Sequence, residues 1–247
     1  MAEVALRTVG LSRSFGGVAA VSGVSLECRS GSVHALVGPG GAGKTTLIDM
    51  LAGELAPSAG RIELFGVDVT GLPPERIARR GVGRSYQKTS VLLRLSAFEN
   101  CRLAAQSRLT GWMRLLRRVE RYHEVNAAAA RALAAAGLAD RGDELASALS
   151  RGEQRRLEIA MTIATAARVL LLDEPLAGMG AAEAARMLAL IRGLKERHAI
   201  LLVEQDMDSV FAVADVLSVM VDGAVRASGR PAEIRASRQA HQRYPGV

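Results

Sequence analysis

Residues 38–46 read Gly-Pro-Gly-Gly-Ala-Gly-Lys-Thr-Thr, and they restrict the fold of this chain more than any other stretch. They fit the phosphate-loop pattern G-x-x-x-x-G-K-[ST], with Gly38, Gly43, Lys44 and Thr45 in the fixed places. The pattern has meaning only between a strand and a helix. Val-His-Ala-Leu-Val at 33–37 is a short apolar run suited to a buried strand, and residues 46–51 read as a helix. Gly38, Gly40, Gly41 and Gly43 allow the backbone to turn its N–H groups onto an anion, with Thr46 behind them in the first turn. The helix start adds partial positive charge, Lys44 adds a full one, and the Thr45 hydroxyl can ligate Mg²⁺. Binding of a nucleoside triphosphate is therefore the first expectation.

With 247 residues and 49% hydrophobic content, the chain can bury a substantial core. No run approaches the ~18 apolar residues of a membrane span. Glu3 and Arg7 flank a short apolar run without a signal-peptide pattern, so a cytoplasmic location is expected. Cys28 and Cys101 lack the spacing of a disulfide framework or a zinc site and are expected to be reduced packing residues. A formal charge of +7 raises nucleic acid or an anionic membrane surface as partners. Arginine is spread through the chain, however, and aromatics are only 3%, too few for base-stacking platforms. Direct nucleic-acid binding is not expected; a basic protein lying beneath a membrane complex is.

Residues 3–37 carry strand signals around Val4, Leu6, Val9, Val21, Val24 and Leu26. Phe15, just before Gly16-Gly17, can stack a purine or pack a hairpin. Residues 57–60 read as a turn, 61–65 as a strand, Pro73-Pro74 as the opening of a helix, and 82–86 as a strand running out to Gln87. Between 91 and 149 alanine is abundant and strand patterns vanish, which predicts a helical insertion. Within it Leu109, Trp112, Leu116 and Val119 form an apolar stripe read as packing. Ser150 and Glu153 have capping-box spacing, and the same helix start can receive a phosphate. Residues 169–172 form an apolar run that delivers Asp173 and Glu174 to the carboxyl end of a strand, where an open α/β sheet places ligands. Asp173 there can hold Mg²⁺ and Glu174 can accept a proton from water. A helix over 182–197, a strand over 199–203 leading to Glu204-Gln205, a hairpin turning at Asp222-Gly223 and a short helix from Pro231 complete the reading.

Taken together, these residues resemble the ATP-binding cassette family over nearly the whole chain. Leu149-Ser150-Arg151-Gly152-Glu153-Gln154 is similar to its signature motif, and the motif order matches: Phe15 as adenine-stacking aromatic, residues 38–46 as Walker A, Gln87 as the glutamine loop, Asp173 and Glu174 as Walker B. Residues 174–179 and 203–207 look most like subunits of branched-chain amino-acid importers. The resemblance implies an α/β fold: a RecA-like phosphate-loop NTPase core, an N-terminal antiparallel β subdomain and an inserted helical subdomain. It implies a single nucleotide-binding domain over 1–247, with the core in 1–90 and 159–247 and the helical part in 91–158. It further implies an ATPase that powers a membrane importer at the cytoplasmic face of the plasma (inner) membrane. Its partners would be transmembrane permease subunits and a second ATPase subunit, the same or a sister chain, so that ATP lies between Lys44 of one subunit and Ser150 and Gly152 of the other. Thr45, Gln87 and Asp173 would surround Mg²⁺, Glu174 would polarise water, and Gln205 would face the γ-phosphate.

Three positions depart from the family pattern: Gly40 replaces an Asn, Arg151 replaces the first signature Gly, and Gln205 stands where most members carry a histidine. Glutamine can hydrogen-bond a phosphate but cannot share a proton as imidazole does. The core motifs also accommodate a lipid or lipopolysaccharide transport ATPase. Other classes are a non-transport ATPase acting on nucleic acid and an ATP-binding switch that has lost turnover, for which Gln205 is the hint.

Overall fold

The computed structural model describes residues 2–86, 90–107 and 122–236. Gln87 and the stripe of Leu109, Trp112, Leu116 and Val119 lie outside the described residues. Two long strands, β1 (Val4–Phe15) and β2 (Val18–Arg29), form a hairpin across Gly16-Gly17, whose φ of 51° and 87° suit a tight turn of type I′. Joined by β4 (Ala59–Leu64) and β5 (Val67–Asp68), they make an antiparallel sheet of order β2-β1-β4-β5. Leu6, Leu11, Val24 and Ile62 are buried beneath it.

The second sheet contains β3 (Val33–Val37), β6 (Val82–Ser85), β7 (Val169–Asp173), β8 (Ala199–Glu204), β9 (Val216–Val221) and β10 (Ala224–Gly229), in the order β10-β9-β3-β8-β7-β6. All neighbours are parallel except the β9–β10 hairpin. Every residue of β3, β7 and β8 is buried, which is why these strands read as near-continuous apolar runs in the sequence, with His34 inside β3 and acids only at the ends of β7 and β8. One face of the sheet is covered by α1 (Lys44–Leu51) together with the antiparallel sheet. The other is covered by α6 (Ala181–Leu194) and α7 (Met207–Phe211), through Met187, Ile191 and Val210. Two six-residue helices, α2 (Pro74–Arg79) and α8 (Pro231–Ala236), lie where the paired prolines and Pro231 open them.

Three further helices share a separate core: α3 (Ala97–Gln106), α4 (His123–Ala135) and α5 (Arg151–Ala164). Cys101, Ala129, Leu133, Leu157 and Ala160 meet there, and the alanines let the helices approach closely. Capping boxes start two of them, Ser96 with Glu99 on α3 and Ser150 with Glu153 on α5. Only the second was expected. Cys28 and Cys101 are free and buried, and burial pushes both thiols up to about 12, consistent with packing residues.

Some boundaries differ from expectation. The first helix opens at Lys44 rather than Thr46, because Gly43 at φ 97° ends the loop abruptly and places Lys44 in the first turn. Strand β4 begins at Ala59, inside the expected turn; Gly60 lies so close to Gly10 that a Cβ there would stand 2.5 Å from the Gly10 carbonyl oxygen, a pairing only glycine permits. The sixth helix stops at Leu194 instead of Arg197, and the edge strand β5 was not foreseen. The Asp222-Gly223 hairpin follows expectation, with both residues at positive φ.

Candidate nucleotide site

Register in the parallel sheet decides which residues meet. Val37 pairs with Glu204, Asp173 with Val203, and Ser85 with Leu172. The loop after β3, the acids ending β7, Gln205 after β8 and Tyr86 after β6 therefore emerge along one edge of the sheet, the edge at which an open α/β sheet takes its ligand.

Close packing shapes the glycine loop. A Cβ on Gly38 would collide with the Met220 carbonyl oxygen, and one on Gly43 with the carbonyl oxygen of Ala20. The loop is thus pressed between β9 and the β1–β2 hairpin, and the Gly223 N–H donates to the Ala42 oxygen at 3.1 Å to fix the contact. Gly40 and Gly41 are exposed, as is Thr45 in the first turn of α1, with Thr46 half-buried beside it. Lys44 is buried, and its Nζ donates to the carbonyls of Gly38 at 2.6 Å and Pro39 at 2.9 Å. Burial lowers the Lys44 pKa, while the nearby carboxylates of Glu174, Asp173 and Glu204 work the other way.

Those acids form a second layer. Asp173 is buried, and burial raises its pKa against the opposing influence of Arg84. Its Oδ2 lies 3.6 Å from the Arg84 guanidinium and has no hydrogen-bond partner among the described residues. Glu174 has a backbone φ of 46°, rare for a residue with a long side chain. Its Oε1 accepts from Gln205 Nε2 at 2.7 Å. Glu204, also buried, accepts from the Leu176 N–H at 2.9 Å.

Gln87 apart, the site residues expected from the sequence fall into three groups. Gly38, Gly40, Gly41, Gly43, Lys44, Thr45, Thr46, Asp173, Glu174 and Gln205 share the carboxyl edge of the parallel sheet. Phe15 ends β1 in the hairpin that leans on the loop, half-exposed, with the Arg13 guanidinium 4.8 Å from its ring centre. Ser150 and Gly152 belong instead to the start of α5, on the helical cluster; a Cβ on Gly152 would meet Glu183 Oε1 at 2.7 Å. Three residues escaped the sequence reading, Arg84, Arg155 and Glu158, and Glu204 entered it only as the residue that follows a strand. Arg84 bridges Asp49 at 2.7 Å and Glu54 at 2.9 Å as well as Asp173. Its signal was a charge within a four-residue buried strand, and that of Arg155 and Glu158 was an i,i+3 pair on the buried face of a helix.

A glycine loop at a helix start, a buried lysine and acids on the adjoining strand ends define a phosphate-loop nucleoside-triphosphate site. The profile of the ABC transporter family matches residues 21–177. The chain is 38% identical to the high-affinity branched-chain amino acid transport ATP-binding protein BraF of Pseudomonas aeruginosa, over 100% of this chain and 99% of that protein. It is 37% identical to the corresponding ATP-binding protein LivG of Salmonella typhimurium, again over 100% and 99%. Among solved structures, the ADP conformation of an ATP-binding cassette of an ABC transporter superposes with a TM-score of 0.88 at 26% identity, covering 99% of both chains. The chain belongs to the ABC transporter family, as an ATP-binding cassette that hydrolyses ATP.

Proposed function

We propose that this chain is the ATP-hydrolysing subunit of an importer for branched-chain or related amino acids, held peripherally at the cytoplasmic face of the plasma membrane by transmembrane permease subunits. The observation that carries this is similarity along the entire length to two branched-chain amino acid transport ATP-binding proteins. No helix among the described residues is long and apolar enough to cross a membrane; in this reading the permease subunits supply the passage. A groove of about 580 Å³ between the α/β core and the helical cluster, with Ala52, Ile77, Tyr86, Ala104 and Met161 in its walls, supports docking of a permease element. The separate core of α3, α4 and α5 supports one nucleotide-binding domain with an inserted helical part, although that core runs on to Ala164 and the boundary expected at 158 falls inside α5.

In this reading Lys44 and the N–H groups of residues 38–46 hold the phosphates, and Phe15 stacks the adenine. Glu174 accepts the proton of the attacking water, and Gln205 orients Glu174, a role its 2.7 Å hydrogen bond supports. Mg²⁺ fits beside Asp173, whose buried Oδ2 has no hydrogen-bond donor among the described residues, with the exposed Thr45 hydroxyl as the second protein ligand. When bound, the ion neutralises charge on the phosphates. Ser150 and Gly152 stand at the start of α5, the helix that packs in the helical cluster, and not on the sheet edge that carries the glycine loop, which supports their serving the site of a second subunit. The test is to copurify the chain with its membrane partners and measure ATPase activity with and without valine, leucine and isoleucine. Stimulation by these amino acids supports the assignment; stimulation only by an unrelated solute overturns it.

A further inference from the structure

The residue after β7 is held in an unfavourable conformation by something outside the motif. A left-handed backbone at a residue such as Glu174 costs on the order of 1–3 kcal/mol and persists only where neighbours over-determine it. The Glu174 N–H donates to the Val203 oxygen at 2.9 Å, and its side chain is met by Gln205. Its carbonyl is met by Arg155. That guanidinium is buried in α5, and its Nη2 donates to the carbonyls of both Asp173 at 2.8 Å and Glu174 at 3.2 Å. Its Nη1 donates to the Tyr86 carbonyl and to Glu158 Oε2, the latter at 2.8 Å. Glu158, one turn on, is buried too; its Oε1 accepts from the Tyr86 N–H at 2.9 Å and from Ser90 Oγ at 3.2 Å.

One fork thus spans the two acids of the site and the end of β6, and its counter-ion holds Tyr86 and Ser90. We infer that Arg155, clamped by Glu158, is a positioning residue that fixes the Glu174 carboxylate for hydrolysis and ties it to the groove wall at Tyr86. A buried ion pair contributes little net stability relative to an apolar pair of the same shape, whereas the planar fork of arginine fixes several acceptors at once. Lysine at 155 keeps the charge against Glu158 but has no fork to hold the Tyr86, Asp173 and Glu174 carbonyls together.

The inference rests on the reading of Glu174 as proton acceptor, so the experiment separates the two. Steady-state ATPase rates, ATP affinity and thermal midpoints are compared for the natural chain, Arg155→Lys, Glu158→Gln, Glu174→Gln and the double variant Arg155→Lys/Glu174→Gln. Arg155→Lys is expected to keep ATP affinity within about threefold and lose about tenfold or more in kcat, with a smaller loss in Glu158→Gln. In the Glu174→Gln background, the same Arg155→Lys change is expected to alter the residual rate by less than about twofold, because the groups act as one unit. An equal fold-loss in both backgrounds, or a natural kcat in Arg155→Lys, overturns the inference while leaving Glu174 in place. A natural turnover in Glu174→Gln alone overturns the proton-acceptor reading, and the inference with it. Arg155→Gln is the harsher variant and strands Glu158 without a cation; if it does not fold, Arg155→Lys still decides.

Discussion

At Lys44 the ammonium is bonded to the carbonyls of Gly38 and Pro39, so the charge is already aimed into the loop proposed to hold phosphate. Charged hydrogen bonds of this kind contribute about 1.5–3 kcal/mol, and Lys44→Ala is expected to weaken ATP binding about 10- to 100-fold and abolish hydrolysis. Equilibrium nucleotide titration checks the first, phosphate release the second. The loop glycines divide sharply. Gly43, at φ 97° and against the Ala20 carbonyl, has no room for a methyl group, whereas a Cβ on Gly40 meets nothing within 4 Å. Gly40→Ala should leave the thermal midpoint equal or slightly raised, by the ~0.4–1 kcal/mol of reduced unfolded-state freedom, while Gly43→Ala unfolds the loop and loses nucleotide. Glu204 supplies a pH test. Burial pushes its carboxyl from 4.5 up to about 7, with Glu174 adding to the rise and the Leu176 and Gln205 N–H groups opposing it. Its folded pKa lies above the unfolded value, so the folded chain retains a proton that the unfolded chain has released. Its contribution to stability is therefore full below pH 4.5 and is lost as pH rises through 7. Glu204→Gln keeps an oxygen for the Leu176 N–H; it should match the natural chain near pH 4.5 and exceed it at pH 8 by on the order of 3 kcal/mol. Denaturant titrations that give one constant difference across that range would contradict this assignment.

Among the elements, α5 does the most. Its N-terminus carries Ser150 and Gly152, its middle carries Arg155 and Glu158, and near its C-terminus Thr162 lies flush on Gly83 of β6. A methyl group on Gly83 would collide with Thr162 Cγ2 and meet the Ala167 Cβ at 2.8 Å. Gly83→Ala is therefore expected to cost about 1–3 kcal/mol by forcing strand and helix apart, read as a lowered thermal midpoint with a matching loss of ATPase activity. These elements show what the sequence could reveal. The 38–46 loop, the capping box at Ser150 and the hairpin at Asp222-Gly223 were legible because local chemistry alone dictates them. Walker B was legible because a parallel strand buried on both faces must be apolar until it ends. Arg84 and Arg155 were not, since their meaning lies in which carbonyls and carboxylates arrive from other elements, and periodicity marks them only as charges on buried faces. Strand β5 escaped because a two-residue edge strand leaves no pattern.

On the scale of the whole molecule, the glycine loop and the signature segment occupy different bodies of the fold, the parallel sheet and the helical cluster. On the proposed reading, a complete site takes the loop of one chain and Ser150 of a second. Glu174→Gln, which keeps the shape of the acid and loses its basicity, should bind ATP and accumulate as a dimer; size-exclusion chromatography with and without ATP reads this directly. A variant that stays monomeric at saturating ATP would remove the shared-site arrangement. The most direct test of the account as a whole is accumulation of radiolabelled leucine in vesicles reconstituted with the chain and its copurified membrane partners. ATP on the side that carries the chain should drive accumulation, and Glu174→Gln should abolish it while retaining ATP binding. Hydrolysis that proceeds normally with no accumulation of leucine, isoleucine or valine would contradict the importer assignment.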